Sequence, residues 1–362
     1  MKNHSPVKKP PRKILIITMR HLGDVLLSTP LVHSLRKSFP DAQLDFLLFR
    51  STSGMLEGNP DIDHIISVSQ RPGFTEILQL CKRLFRRYDI AITTQTGDRP
   101  FWFAFLAAPM RIAVVPSKSQ TGWWKRFLLQ HWLEFDDHDT HTVLQNLKLL
   151  EPLGAMRCYN VIPPTSNRSL PLQLQRGSYA VIHPYPLRVY KRWTMKGWIE
   201  IANFLRQAGL QLVLSGGPAP EEHAYIAQLH RQLPADTHNL AGQTSLAQLS
   251  DIIAGARIFI GPDTGTTHLA AATGIPVIAI YGPTNPVKWA PWPVDYESRH
   301  NPFQRVGSQQ VNNILLIQGE GDCVPCDLEG CDRHRDSHSK CLDELCAGRV
   351  IQAVREALQL DA

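Results

Sequence analysis

Apolar residues in the first half of the chain fall into short unbroken runs, separated by segments in which they recur at helical spacing. "KILIIT", "QLDFLLF", "DHIISV" and "YDIAITT" read as buried strands, and "TEILQLCKRLFRR" as a helix. Asp24 to Phe39 carries helical spacing but contains Pro30, so a kink or a restarted helix is expected there. "TVLQNLKLLEPLG" is helical and should stop at Pro152 and Gly154. Three prolines and a polar run in "VIPPTSNRSLPLQLQRGS" (Val161 to Ser178) mark an interdomain linker.

The alternation then starts again. "YAVIHP", "LQLVLSGGP", "RIFIGPD" and "PVIAIYGPT" are strands. "MKGWIEIANFLRQAG", "PEEHAYIAQLHRQL", "SLAQLSDIIAGA" and "TTHLAAATG" are helices. Two α/β alternations joined by a linker predict two doubly wound, Rossmann-like domains with mostly parallel sheets, 1–165 and 166–345. Ligands of such sheets bind beyond the carboxyl ends of the strands, so the two domains are expected to face each other across a cleft. "CAGRVIQAVREALQL" completes the chain with a helix (346–362) that could pack back on the N-terminal domain.

A length of 362 residues suits two domains, and 43% hydrophobic with 19% charged residues describes a globular protein. No uncharged apolar run approaches the roughly 18–20 residues that span a bilayer. "MKNHSPVKKPPRK" is basic but lacks the apolar core of a secretory signal, so a cytoplasmic protein is expected. The net charge of +6 is concentrated partly at this N-terminus and in "CKRLFRR" (Cys81 to Arg87). Such a run is either a solvated helix face or a contact with an anionic membrane surface or phosphorylated substrate.

Candidate chemistry sits at strand exits. "RHLGDVLLSTP" places Gly23 and Asp24 just beyond the first apolar run, where a carboxylate either closes a turn or serves as a base. "IFIGPDTGTTHLAAATGIPVIAIYGPTNP" reads as strand, small-residue turn, helix and strand. A helix N-terminus offers free N–H groups and partial positive charge to phosphate. Asp263, Thr264, Gly265, Thr267 and His268 are the candidates there, against the plainer alternatives of a helix cap for Asp263 and packing for His268. "HPYPLRVYKRWTMKGW" follows another strand and offers Arg188, Lys191 and Arg192 to a departing diphosphate. Glu221 or Glu222 in "SGGPAPEE" opens a helix, where acidic residues are favoured in any case.

Three motifs are informative by exclusion. No G-x-G-x-x-G follows the first strand and no G-x-x-x-x-G-K-[ST] occurs, which disfavours a dinucleotide oxidoreductase and a P-loop NTPase. "DID" (Asp61 to Asp63) resembles the metal-binding D-x-D of some sugar transferases, but it precedes a strand and reads as a turn.

Five of the seven cysteines crowd into Cys323 to Cys346. Cys323, Cys326, Cys331 and Cys341 are spaced C-x2-C-x4-C-x9-C, with His334, His338 and Cys346 nearby. Four thiolates could close a tetrahedral zinc site or carry an iron–sulfur cluster, and the alternative is a loop of reduced thiols. Any metal there would be structural.

The segments "RHLGDVLLSTPLVHSLRKSFPDAQLDFLL", "VYKRWTMKGWIEI", "LVLSGGPAPEE" and "FIGPDTGTTHLAAATGIPVIAIYGPT" together resemble the ADP-heptose:lipopolysaccharide heptosyltransferases. They run from Ile14 to Thr284 in the family's order, and the opening is most similar to the group adding a branching third heptose. The resemblance implies a GT-B fold and an inverting transfer of heptose from ADP-heptose to the lipid A–inner core acceptor, with no cofactor required for catalysis. It implies Asp24 as catalytic base, Lys191 beside the donor phosphates, the Asp263–His268 loop for the nucleotide sugar, and Glu222 at the ribose. The implied partners are ADP-heptose, the acceptor and the inner face of the cytoplasmic membrane, with no nucleic acid. One departure is "KRWT" where the family has K-x-W-P. A related transferase using another nucleotide sugar, or a non-catalytic nucleotide-sugar-binding protein, are the alternatives.

Overall fold

The computed structural model describes residues 9–117, 122–172 and 174–360. Most of the basic N-terminal run, residues 1–8, lies outside them. The chain divides into two compact units, Met1–Ile162 with Glu297–His300, and Pro163–Tyr296 with Asn301–Ala362.

The first unit is built on six parallel strands: β1 (Lys13–Ile17), β2 (Gln43–Phe49), β3 (His64–Val68), β4 (Ile90–Thr93), β5 (Met110–Val115) and β6 (His131–Glu134). Their order is β3-β2-β1-β4-β5-β6, the doubly wound arrangement that leaves a crevice where the winding reverses, between β1 and β4. The all-apolar stretch Ile14–Ile17 of β1 is completely buried, as expected for a central strand covered on both faces. Its helices are α1 (Leu22–Leu26), α2 (Thr29–Ser38), α3 (Phe74–Leu84), α4 (Asp98–Ala107) and α5 (Thr142–Lys148). Pro30 does restart the helix: it lies in the first turn of α2, where its missing N–H costs nothing.

The second unit contains β7 (Tyr179–Ile182), β8 (Gln211–Leu214), β9 (His238–Asn239), β10 (Ile258–Pro262), β11 (Val277–Tyr281), β12 (Gln309–Val311) and β13 (Ile314–Gln318). The order β12-β13-β11-β10-β7-β8-β9 repeats the winding of the first unit, with its reversal between β7 and β10. Among the described residues only the edge pair β12–β13 is antiparallel. The helices are α6 (Met195–Gln207), α7 (Pro220–His230), α8 (Leu246–Ala254), α9 (Gly265–Ala272), α10 (Pro286–Trp289), α11 (Lys340–Asp343) and α12 (Ala347–Leu358).

Helix α12 belongs to the second unit. Its apolar stripe, Val350, Ala353, Val354 and Leu358, is buried in the core of the second unit with Trp198, Ile201 and Leu205 of α6. Among the described residues no helix is long and apolar enough to cross a membrane.

Candidate active site

Asp24, Lys191 and Asp263 follow strands that flank the two winding reversals, and Glu222 follows the adjoining β8. In the first unit, Thr18 and Thr94 extend β1 and β4, and their hydroxyls lie 2.9 Å apart. The Met19 N–H donates to Gln95 Oε1 at 3.0 Å, tying the two exits together. Gly23 and Asp24 then lie in the one-turn helix α1, with no left-handed turn at Gly23. Asp24 is partly exposed, and Arg20 Nη1 stands 3.6 Å from its Oδ1. The "DID" carboxylates have structural partners: Asp61 meets His33 Nδ1 at 2.8 Å, and Asp63 accepts from Arg36 and from the Leu44 N–H.

In the second unit, β7 leads to Lys191 and the neighbouring β10 leads to Asp263. Lys191 Nζ lies 2.5 Å from Asp263 Oδ2, joining residues 72 positions apart. Asp263 is buried. Burial alone would raise its pKa, but the Lys191 ammonium, hydrogen bonds from Lys191 and Thr284, and His268 together hold it below the usual carboxylate value. The Tyr281 hydroxyl stands 3.4 Å from Asp263 Oδ1 and 2.9 Å from the Trp289 carbonyl, to which it donates. "DTG" and "YGPT", separate in sequence, therefore converge on one carboxylate.

Asp263 is not the helix cap. Thr264 caps α9, its hydroxyl accepting from the Thr267 N–H, while Thr267 donates to the Pro262 carbonyl. Gly265 opens the helix, and His268 is buried on it. The two other cations considered beside Lys191 do not share its position. Arg192 turns to Tyr185, donating to its hydroxyl and lying 4.2 Å from its ring centroid, and Arg188 precedes the turn that carries Lys191.

The "KRWT" departure leaves this turn well anchored. Thr194 replaces the expected proline as the cap of α6, accepting from the Gly197 N–H. Trp193 is buried edge-on against Trp198, and its indole N–H donates to the Leu345 carbonyl. Gly197 is required beneath it, since a Cβ there would come within 2.5 Å of the Trp193 ring.

Glu222, in the first turn of α7, reaches back to the β8 exit, where Oε1 accepts from the Gly217 N–H at 2.7 Å. Gly216 and Gly217 admit it: a Cβ on either would fall about 3 Å or less from a Glu222 oxygen. Burial raises the Glu222 pKa, against the lowering effect of that hydrogen bond. His183 and Ser215, at the exits of β7 and β8, carry no signal in the sequence, yet their side chains pair at 3.1 Å.

The cysteine-containing segment touches this loop system through Asp327, whose N–H donates to the Pro283 carbonyl and whose Oδ1 accepts from the Asn285 N–H. Cys341 lies under Gly282 of "YGPT", where a Cβ would meet its Sγ at 3.2 Å. Burial, then the nearby Cys326, Cys331 and Cys323, push the Cys341 thiol up to about 12. Among the described residues no group of three or more His, Cys, Asp or Glu side chains is arranged to hold a metal ion.

Two doubly wound, Rossmann-like units give the chain the GT-B fold. The family model for glycosyltransferase family 9 (heptosyltransferase) matches residues 77–313, and the chain belongs to that family. It is 32% identical over 290 residues to lipopolysaccharide heptosyltransferase 3 of Escherichia coli K12, covering 76% of this chain and 83% of that one. The E. coli heptosyltransferase WaaC with ADP superposes with a TM-score of 0.73 at 19% identity, covering 95% and 99% of the two chains. The iron-containing dodecameric glycosyltransferase TibC of enterotoxigenic E. coli gives 0.55 at 14% identity, covering 98% and 77%.

Proposed function

We propose that the chain transfers heptose from ADP-heptose to the inner core of lipopolysaccharide, with inversion and without a catalytic metal. The observation that carries this reading is the Lys191–Asp263 pair beside the N-terminus of α9 in a family 9 fold. An ammonium fixed by a buried carboxylate, next to free helix N–H groups, is preorganised for a diphosphate whose charge grows as the glycosidic bond breaks. Thr264, Gly265, Thr267 and His268 would complete the nucleotide-sugar loop, and the Glu222 carboxylate would accept from the ribose through its remaining lone pairs. Asp24, with Gly23 ahead of it, is the base that takes the proton from the acceptor hydroxyl as that oxygen attacks the anomeric carbon.

Because the acceptor is lipid-linked, the same reading places the protein at the inner face of the cytoplasmic membrane. It also retains a structural metal at Cys323, Cys326, Cys331 and Cys341, supported by their C-x2-C-x4-C-x9-C spacing. TibC, a structural relative, contains iron.

Nucleotide competition tests the donor half of the proposal. ADP should displace a fluorescent ADP analogue at least about tenfold more effectively than UDP or GDP, and Lys191→Ala should weaken binding of both the analogue and ADP. Equal competition by all three diphosphates would refute the adenine-nucleotide assignment.

A further inference from the structure

Helices α3 and α4 cover the same face of the first sheet, where Leu80, Leu84, Phe103 and Ala104 share one core with β1 and β2. Their outer sides are unusually apolar. On α3, about a third of a turn around from Leu80 and Leu84, Phe74 and Leu78 lie one turn apart, with Phe85 just beyond the helix. Phe74 is 80% exposed and Phe85 58%. A helix packed on a core normally turns charged or polar residues to water at these positions.

On α4 the exposed Trp102 and Phe105 lie 5.9 Å apart, and Trp124 joins them at 5.9 Å from Trp102. Phe127, three residues on, is 73% exposed. The two apolar areas are bridged by cations. The Arg111 guanidinium sits 4.8 Å from the Phe105 ring centroid and close enough to Arg86 to feel its charge, while Lys82, Arg83, Arg87 and Arg99 are exposed around them. The neighbouring carboxylates are already engaged: Glu76 by Arg50 and Ser69, Asp98 by Lys125, and Asp89 by the Arg12 and Lys13 N–H groups. The layer therefore carries net positive charge around protruding aromatic rings.

We propose that the α3–α4 layer is the surface by which this protein docks on an anionic phospholipid bilayer. Exposed Trp and Phe side chains partition to the headgroup boundary, and a ring of Arg and Lys meets anionic lipid phosphates. A protein partner would also cover apolar surface, but the encircling cations favour an anionic bilayer. The proposal gives a location to the membrane association contained in the functional reading above, although the docking surface is testable without sugar transfer.

Co-sedimentation with vesicles of phosphatidylcholine alone, and with 30% or so phosphatidylglycerol added, tests it. The full-length protein should bind the anionic vesicles, with affinity falling about fivefold for each exposed cation neutralised, as in Lys82→Gln and Arg83→Gln. Phe74→Ser/Leu78→Ser and Trp102→Ser/Phe127→Ser variants should each lose binding at unchanged thermal stability, while retaining transfer to a soluble delipidated acceptor. Unchanged vesicle binding in both apolar variants would overturn the proposal. So would a wild-type dimer that these substitutions convert to monomer, because the apolar face would then be a self-association surface. Lost vesicle binding with intact soluble transfer supports the surface; absent soluble transfer in the wild type would instead fault the functional reading.

Discussion

Lys191 Nζ and Asp263 Oδ2 meet at 2.5 Å, with the carboxylate buried and the ammonium partly open to solvent. The pair links the exits of the two strands that flank the winding reversal of the second sheet. Removing only the lysine leaves an uncompensated buried charge, which typically costs about 3–5 kcal/mol. Lys191→Ala should therefore lower the melting temperature as well as nucleotide affinity. Adding Asp263→Asn should recover most of the stability but not ADP binding or transfer. Full recovery of activity in the double variant, read by calorimetry and an ADP-release assay, would reduce the pair to a structural tie.

Asp24 lies in a short helix of the first unit with only Arg20 in ion-pair range among its described contacts. Asp24→Asn should leave the melting temperature and ADP affinity nearly unchanged and reduce transfer by at least about 100-fold, the lower end for a general base. Near-normal turnover would remove the base assignment.

For Glu222, a double-mutant cycle separates a ribose contact from a loop cap. ADP and 2′-deoxy-ADP should bind wild type with different affinities, and Glu222→Ala should abolish that difference. If the substitution weakens both nucleotides equally, the carboxylate acts only through the Gly217 N–H that it accepts.

His183 sets a pH dependence of stability. Burial holds its pKa down at about 4, partly offset by hydrogen bonding to Ser215, against about 6.5 in an unfolded chain. Between these values the unfolded state binds the extra proton, so stability is fully present above about pH 6.5 and is lost as pH falls towards 4. The loss is on the order of 3 kcal/mol. His183→Gln, sized to keep a partner for Ser215, should flatten the denaturation midpoint across that window. An unchanged slope would place the acid sensitivity elsewhere.

The α/β alternation could be read from short apolar runs because both sheets are covered on two faces, leaving β1, β7, β10 and β11 almost wholly apolar. Strands β5, β6, β9, β12 and β13 and helices α4, α10 and α11 have no counterpart among the elements read from the sequence. The α4 sequence "DRPFWFAFLA" is apolar nearly all round and shows no helical contrast, because its outer aromatics remain exposed. The four-residue β6 is an edge strand, and β12 has only three residues. The co-occurrence of "DTG" and "YGPT" pointed to one site, but the Lys191–Asp263 pair is a tertiary contact across 72 residues. Asp263 as a cap was the plausible local alternative, and Thr264 fills that role.

Metal analysis decides the cysteine proposal. Protein purified without a histidine tag should carry about one zinc or iron per chain, lost in a Cys323→Ser/Cys326→Ser variant together with thermal stability. Metal-free protein whose stability is unaffected by that substitution would leave a cluster of reduced thiols.

Transfer itself is the decisive measurement of what the protein does. The protein would be incubated in EDTA with heptose-deficient lipopolysaccharide and, separately, ADP-heptose, UDP-glucose, UDP-galactose and GDP-mannose, with products read by mass and by anomeric NMR. Addition of one heptose from ADP-heptose alone is expected, with inverted anomeric configuration and dependence on Asp24 and Lys191. Transfer from another nucleotide sugar in preference, or transfer that requires added divalent metal, would contradict it.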